Sequence, residues 1–180
     1  MKIRSFIAVN LPKETKEEIK KIIDILGRSR GGIKLVEPEN LHFTLHFLGE
    51  IGPEKVITVK EILKEAVRDA RPYPVKILGL NAFPSRNRPR VIFLEAVSEN
   101  KSLENLQQKI GQQLKKIGLK IDERPFTLHL TLGRVKNQGL KLPEIKIKEN
   151  LIFKAISLDL MKSELTPQGP IYTLIESFLF

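Results

Sequence analysis

Apolar residues along this chain follow two rhythms, every second residue or every third to fourth, and the switches between them mark the elements. Residues 5–9 read as a first buried strand. Pro12 stands where a helix would start, and Ile19, Ile22, Ile23 and Leu26 follow at helical spacing, with Lys and Glu on the other face. Gly27, Gly31 and Gly32 end that helix. Residues 33–36 form a short strand closed by Pro38. Residues 41–48 form a strongly patterned one, followed by a turn at Gly49, Gly52 and Pro53. A second helix over residues 54–70 carries the stripe Val56, Val59, Leu63, Ala66, Val67 and Ala70. Strands at 73–80 and 91–97 flank a basic loop, residues 83–90. Ser102 caps a third helix with the stripe Leu103, Leu106, Ile110, Leu114 and Ile117, ended by Gly118. Further strands fall at 127–135, 151–161 and 171–180, the last two separated by a turn at 167–170.

Strands follow one another here without a helix between them, so part of the sheet is antiparallel and the class is α+β. No Pro/Gly/Ser-rich linker divides the chain, which predicts one domain over residues 1–180.

At 41% hydrophobic residues the chain can bury a real core. No apolar run approaches the roughly 18 residues of a membrane helix. The basic N-terminus leads into an apolar stretch too short for a secretory signal, cut off by Asn10, Pro12 and Lys13. The expected location is cytoplasmic. Cysteine is absent, which excludes disulfides, Cys-ligated zinc, iron–sulfur clusters and a thiol nucleophile. The 31 Lys and Arg against 21 Asp and Glu give a net charge of +10, a field that attracts nucleic acid or a phosphorylated small molecule. The same balance suits the charge-rich surface of a protein from an organism that grows hot, so charge speaks to partners and not to chemistry.

Chemistry enters through a short internal repeat. Leu41-His42-Phe43-Thr44-Leu45 is matched by Leu128-His129-Leu130-Thr131-Leu132, and both copies run on into glycine, at Gly49 and Gly133. The spacing, close to half the chain, indicates a duplicated lobe. Side chains alternate along a strand, so each copy sets an imidazole and a hydroxyl on one face over a buried apolar row. A competing register aligns residues 43–46 with 126–129 and would pair His46 with His129, but it fails beyond the fourth residue. His46 shares a face with His42 under strict alternation, although a hydrogen-bonded core histidine is the better reading of it.

Two imidazoles suit concerted acid–base work near pH 7, one taking a proton from the attacking oxygen and one giving a proton to the leaving oxygen. Threonine hydroxyls and nearby arginines can hold phosphate oxygens and the charge of the transition state. Such a set opens a 2′,3′-cyclic phosphate with water. A zinc site would need a third ligand from Asp122 or Glu123 and leaves the threonines unexplained. No phosphate-binding Gly-rich loop is present, Gly31-Gly32 being a lone pair.

The paired His-x-Thr-Leu units resemble the two-histidine (2H) phosphoesterase superfamily. Within it the chain is similar to the RNA 2′,3′-cyclic phosphodiesterases, also called 2′-5′ RNA ligases or LigT-like proteins. Supporting stretches lie at residues 4–9, 41–49, 88–91, 126–134 and 163–172. The resemblance implies a bilobal α+β fold of two mainly antiparallel sheets with pseudo-two-fold symmetry, interleaved lobes around a central cleft, and helices outside. It implies hydrolysis of RNA 2′,3′-cyclic phosphate ends to 2′-phosphates, reversible 2′-5′ joining of tRNA halves in some members, and no metal or cofactor. It makes His42 the proton donor and His129 the acceptor, with Thr44 and Thr131 on the phosphate. Arg134 joins the site only if Gly133 permits a bulge, since alternation alone turns it away. Arg88 and Arg90, in the basic loop, are expected to bind substrate, and the protein is expected to act as a monomer. The alternatives are a non-catalytic RNA-binding module and a 2H enzyme for a small cyclic nucleotide.

Overall fold

The computed structural model describes residues 1–28, 32–136, 140, 142–145, 147 and 151–180. In chain order the elements are β1 (Ile3–Asn10), α1 (Lys13–Arg28), β2 (Ile33–Leu35), β3 (His42–Ile51), α2 (Pro53–Val67), β4 (Tyr73–Phe83), β5 (Val91–Ser98), α3 (Ser102–Lys116), β6 (His129–Val135), β7 (Ile152–Ala155), β8 (Ser157–Leu165) and β9 (Pro170–Leu179). In space the strands lie β7-β4-β5-β6-β3-β1-β8-β9, with β2 added along β6, and neighbours run antiparallel. The α+β class read from the sequence holds.

The seam lies between β3 and β6, which pair through Phe43 and Leu130 alone. Among the described residues β3, β1, β8 and β9 stand on one side, and β6, β5, β4 and β7, with β2 along β6, on the other. The two antiparallel sheets therefore meet as one at this joint. The chain interleaves them: β8 and β9 complete the sheet begun by β1 and β3, while β7 caps the one built from β4, β5 and β6.

Alternation along the strands explains which face is buried. Ile7, Val9, Phe43, Leu94, Leu130 and Leu132 turn to one face and pack with Ile19 and Leu26 of α1, Leu63 of α2, and Leu103 and Ile110 of α3. Burying each such side chain contributes roughly 1.5–3 kcal/mol. Phe6, Ala8 and Met161 turn to the other face and form a small separate cluster with Tyr172.

Three local expectations are corrected. Gly27 lies inside the last turn of α1, which runs to Arg28; Gly31 lies outside the described residues. Ser98, and not Ser102, serves the start of α3: the Leu103 N–H donates to Ser98 Oγ at 2.9 Å, and Ser98 Oγ donates to the Glu104 carboxylate. Asn100 and Lys101 adopt left-handed φ of 52° and 55°, a tight turn that brings Ser98 back over the helix end. The strand expected at 151–161 is two strands parted at Ile156, one pairing with β4 and the other with β1.

Candidate active site

Both histidines open their strands, His42 at the start of β3 and His129 at the start of β6. Phe43 and Leu130, the pair at the seam, are fully buried in the core. Their neighbours therefore point to the opposite face, and all four members of the two His-x-Thr units share it. Counting one residue either way from the seam sets His42 across from Thr131 and Thr44 across from His129. The histidines then lie on a diagonal of the strand pair, where spacings are roughly 7–8 Å. A threonine stands beside each.

The two rings are held in the same way. His42 Nδ1 donates to the Asn40 carbonyl and His129 Nδ1 to the Thr127 carbonyl, each at 2.7 Å and each two residues back. A carbonyl can only accept, so Nδ1 carries the proton and Nε2 is left to work. Each ring also packs against a pair of aromatic rings that touch each other. Phe6 and Tyr172 lie 4.9 and 5.1 Å from His42, and Phe83 and Phe93 each 5.3 Å from His129.

Burial holds the His42 imidazole down at about 4; the Asn40 hydrogen bond opposes this, and the positive charge of Lys16 adds to it. Lys16 is itself pushed down by burial, against the pull of Glu39, and its Nζ donates to the Glu39 carbonyl at 2.7 Å.

A matched pair of bulges shapes the floor beyond the histidines. Against β1, Thr44 pairs with Ala8 and His46 with Ile7, leaving Leu45 as an extra residue. Against β5, Thr131 pairs with Phe93 and Gly133 with Ile92, leaving Leu132 as an extra residue. Each bulge flips the alternation. His46 consequently turns into the core, where Nε2 donates to the Gln107 carbonyl at 2.8 Å. It does not line the cleft. Arg134 turns out onto the face of His129 and Thr131, and its charge acts on the phenol of Tyr172, whose pKa burial raises. The bulge that Arg134 required is present. Glycine suits that position because a Cβ on Gly133 would meet Ile33 Cγ2 at 2.9 Å and the Lys34 carbonyl at 3.0 Å, both from β2.

Arg88 and Arg90 are exposed on the loop from β4 to β5, off the two histidine strands. The backbone of Arg90 closes the loop: its N–H donates to the Phe83 carbonyl at 2.7 Å, and its carbonyl accepts from the Val135 N–H at 2.9 Å. This sets the loop beside the end of β6 that carries Arg134.

Sequence reasoning did not single out the polar pairs behind the histidines. Asn10 pairs with His42 in register and donates to Asp159 at 2.7 Å. Glu95 pairs with His129 and accepts from Asn81 at 3.4 Å. Asn10 and Glu95 are found only once the registers of β1 on β3 and of β5 on β6 are known, and Asp159 and Asn81 only once β8 and β4 are placed; no local pattern in the sequence marks any of the four. Among the described residues no three His, Cys, Asp or Glu side chains gather in a way that could hold a metal ion, and no helix is long and apolar enough to cross a membrane.

A seam bearing two histidines in matched settings, on a duplicated antiparallel scaffold, defines a class that comparison with known proteins identifies. The LigT-like phosphoesterase family matches the chain twice, over residues 9–93 and 94–172, once for each His-x-Thr unit. A protein of Methanothermobacter thermautotrophicus named RNA 2′,3′-cyclic phosphodiesterase is 34% identical over 184 residues, covering 99% of each chain. One of the same name from Methanocaldococcus jannaschii is 38% identical over 98% of this chain and 100% of its own. The crystal structure of TT0787 of Thermus thermophilus superposes with a TM-score of 0.88 at 29% identity, covering 98% of this chain and 97% of that one. The chain belongs to the LigT-like phosphoesterase family.

Proposed function

We propose that this chain opens the 2′,3′-cyclic phosphate at the end of an RNA to a 2′-phosphate, by two-histidine acid–base catalysis without a metal. His129 Nε2 takes a proton from water as its oxygen attacks phosphorus. The P–O3′ bond breaks, and His42 Nε2 gives a proton to the departing O3′, leaving a 2′-phosphate and a 3′-hydroxyl. Thr44 and Thr131 donate to the non-bridging oxygens, and Arg134 faces the charge that develops there. The observation that carries this reading is the matched setting of the two imidazoles, each with Nδ1 tied to a backbone carbonyl and Nε2 left to work.

Burial keeps free His42 neutral at pH 7, so it takes up its proton with the substrate. A phosphodiester anion beside Nε2 favours the charged ring. With an RNA 5′-hydroxyl in place of water the same steps join two RNAs 2′-5′, as for tRNA halves. The protein acts as a cytoplasmic monomer and a single domain, each half supplying one His-x-Thr unit. Arg88 and Arg90 bind the RNA beyond its terminal nucleotide.

The test is an assay of EDTA-treated protein on RNA ending in a 2′,3′-cyclic phosphate, with product ends mapped. The expected product is a 2′-phosphate at an unchanged rate. Unaltered ends, 3′-phosphate ends, or activity restored only by added zinc would contradict the reading.

A further inference from the structure

Each half of the molecule sets a carboxylate and an amide behind its histidine, and one of the two pairs is closed. Asp159 is 4% exposed; one oxygen accepts from Asn10 Nδ2 at 2.7 Å and the other from Ser177 Oγ at 2.5 Å. Across the seam the arrangement recurs with acid and amide exchanged, since Glu95 faces His129 as Asn10 faces His42. Here the carboxylate is open. Among the described residues Glu95 accepts only from Asn81 Nδ2, at a long 3.4 Å, while Asn81 Oδ1 accepts from the Ala82 N–H at 2.9 Å.

Glu95 lines an open cavity of about 580 Å³ together with Asn81, Phe83, Arg86, Phe93 and Thr127. That volume suits a nucleoside. Phe83 stacks on Phe93 with centroids 4.2 Å apart, and both rings meet His129 edge-on. Phe83 remains 39% exposed, which offers a flat apolar surface at the cavity wall. A carboxylate with acceptor capacity to spare repels a phosphate, so the ligand group that fits it is a neutral one that donates hydrogen bonds. A nucleobase edge provides one.

We infer that this cavity is a nucleobase subsite beside His129, in which Glu95 selects bases that present amino or imino hydrogens. The inference rests on the phosphodiesterase reading and adds a base preference to it. The base stacks on Phe83. Guanine gives a carboxylate two parallel N–H donors, and cytosine and adenine give one amino group. Uracil gives a single N–H flanked by two carbonyl oxygens, which the carboxylate repels. The base belongs either to the cyclic-phosphate nucleotide or to the nucleotide whose 5′-hydroxyl attacks, and the test separates these.

Turnover is measured on the four nucleoside 2′,3′-cyclic monophosphates and on 2′-5′-linked dinucleotides varied at each base, for wild type, Glu95→Gln and Phe83→Leu. Guanine is expected to exceed uracil in kcat/KM by roughly tenfold or more at one position. In Glu95→Gln the guanine-to-uracil ratio falls to about twofold, and Phe83→Leu raises KM for all bases alike. Preference among monophosphates assigns the subsite to the cyclic-phosphate nucleotide; preference only at the other base of the dinucleotides assigns it to the 5′-hydroxyl partner. Equal rates for all bases at both positions, or a preference that survives Glu95→Gln, overturns the inference. Calorimetric binding of guanosine and uridine 2′-monophosphates reads the first assignment without turnover, and guanylyl- and uridylyl-ended dinucleotides read the second. Absence of turnover with base-selective binding would overturn the phosphodiesterase reading and leave the subsite standing.

Discussion

Phe43 and Leu130 face each other as the only registered pair between β3 and β6, and both are fully buried. The two His-x-Thr units are thus hung on one pivot of packed apolar side chains. Interiors of this kind deform little, so the spacing of the histidines is set by the core beneath them and not by loops.

Lys16 tunes His42 through charge. Its ammonium adds to the burial that holds the imidazole at about 4, so removing it eases protonation and raises the pKa. If His42 is the proton donor, the falling limb of kcat/KM with rising pH reports its free-protein pKa. In Lys16→Met that limb should move to higher pH. A limb that stays in place or moves lower would separate Lys16 from His42.

Gly133 and Arg134 should fail together. Gly133→Val drives side-chain atoms into Ile33 and the Lys34 backbone, which must shift β2 or the bulge. The expected result is a loss of turnover similar to Arg134→Gln, roughly 10²- to 10³-fold, the cost of removing one transition-state donor. Normal kcat in Gly133→Val would show that the bulge does not aim Arg134.

Much of this was legible in the chain. The His-x-Thr units lie in strands, and the helical stripes at Ile19–Leu26 and Leu103–Leu114 are buried as spaced. Strict alternation failed at His46 because a bulge needs no special residue to announce it; Leu45 looks like any strand leucine. The break at Ile156 left a trace: buried positions run Phe153, Ala155 and then Leu158, Leu160, a slip of one that marks the passage from β7 to β8. Which strands close each half is a long-range matter, since β8 pairs with β1 across nearly the whole chain, and local pattern carries no partner information.

His46 should matter to stability and not to rate. Burial pushes its pKa down against the Gln107 hydrogen bond, so the folded state keeps it neutral. Below about 6.5 the unfolded chain takes up a proton that the folded chain resists, and stability falls as pH falls. His42, held at about 4, adds to the same decline. His46→Ala should leave kcat within a few-fold, lower stability at pH 7.5 by about 1–3 kcal/mol, and make the acid decline shallower. Urea unfolding from pH 7.5 to 5 checks this; an unchanged slope would contradict it.

Arg88 and Arg90 stand on an exposed loop fastened to the end of β6 away from His129. Charge reversal at either should weaken binding of a long RNA and reduce the salt slope of its affinity by about one phosphate contact each. Turnover of a cyclic mononucleotide should be kept. Equal damage to both substrates would place these arginines in the catalytic cleft.

The most direct test of the account is a double-mutant cycle on single-turnover opening of a 2′,3′-cyclic phosphate. His42→Ala and His129→Ala should each lower the rate roughly 10²- to 10⁴-fold while RNA binding is kept. Because the two act as a unit, the double variant should be little slower than the worse single one. Either single variant within about tenfold of wild type would contradict paired-histidine catalysis.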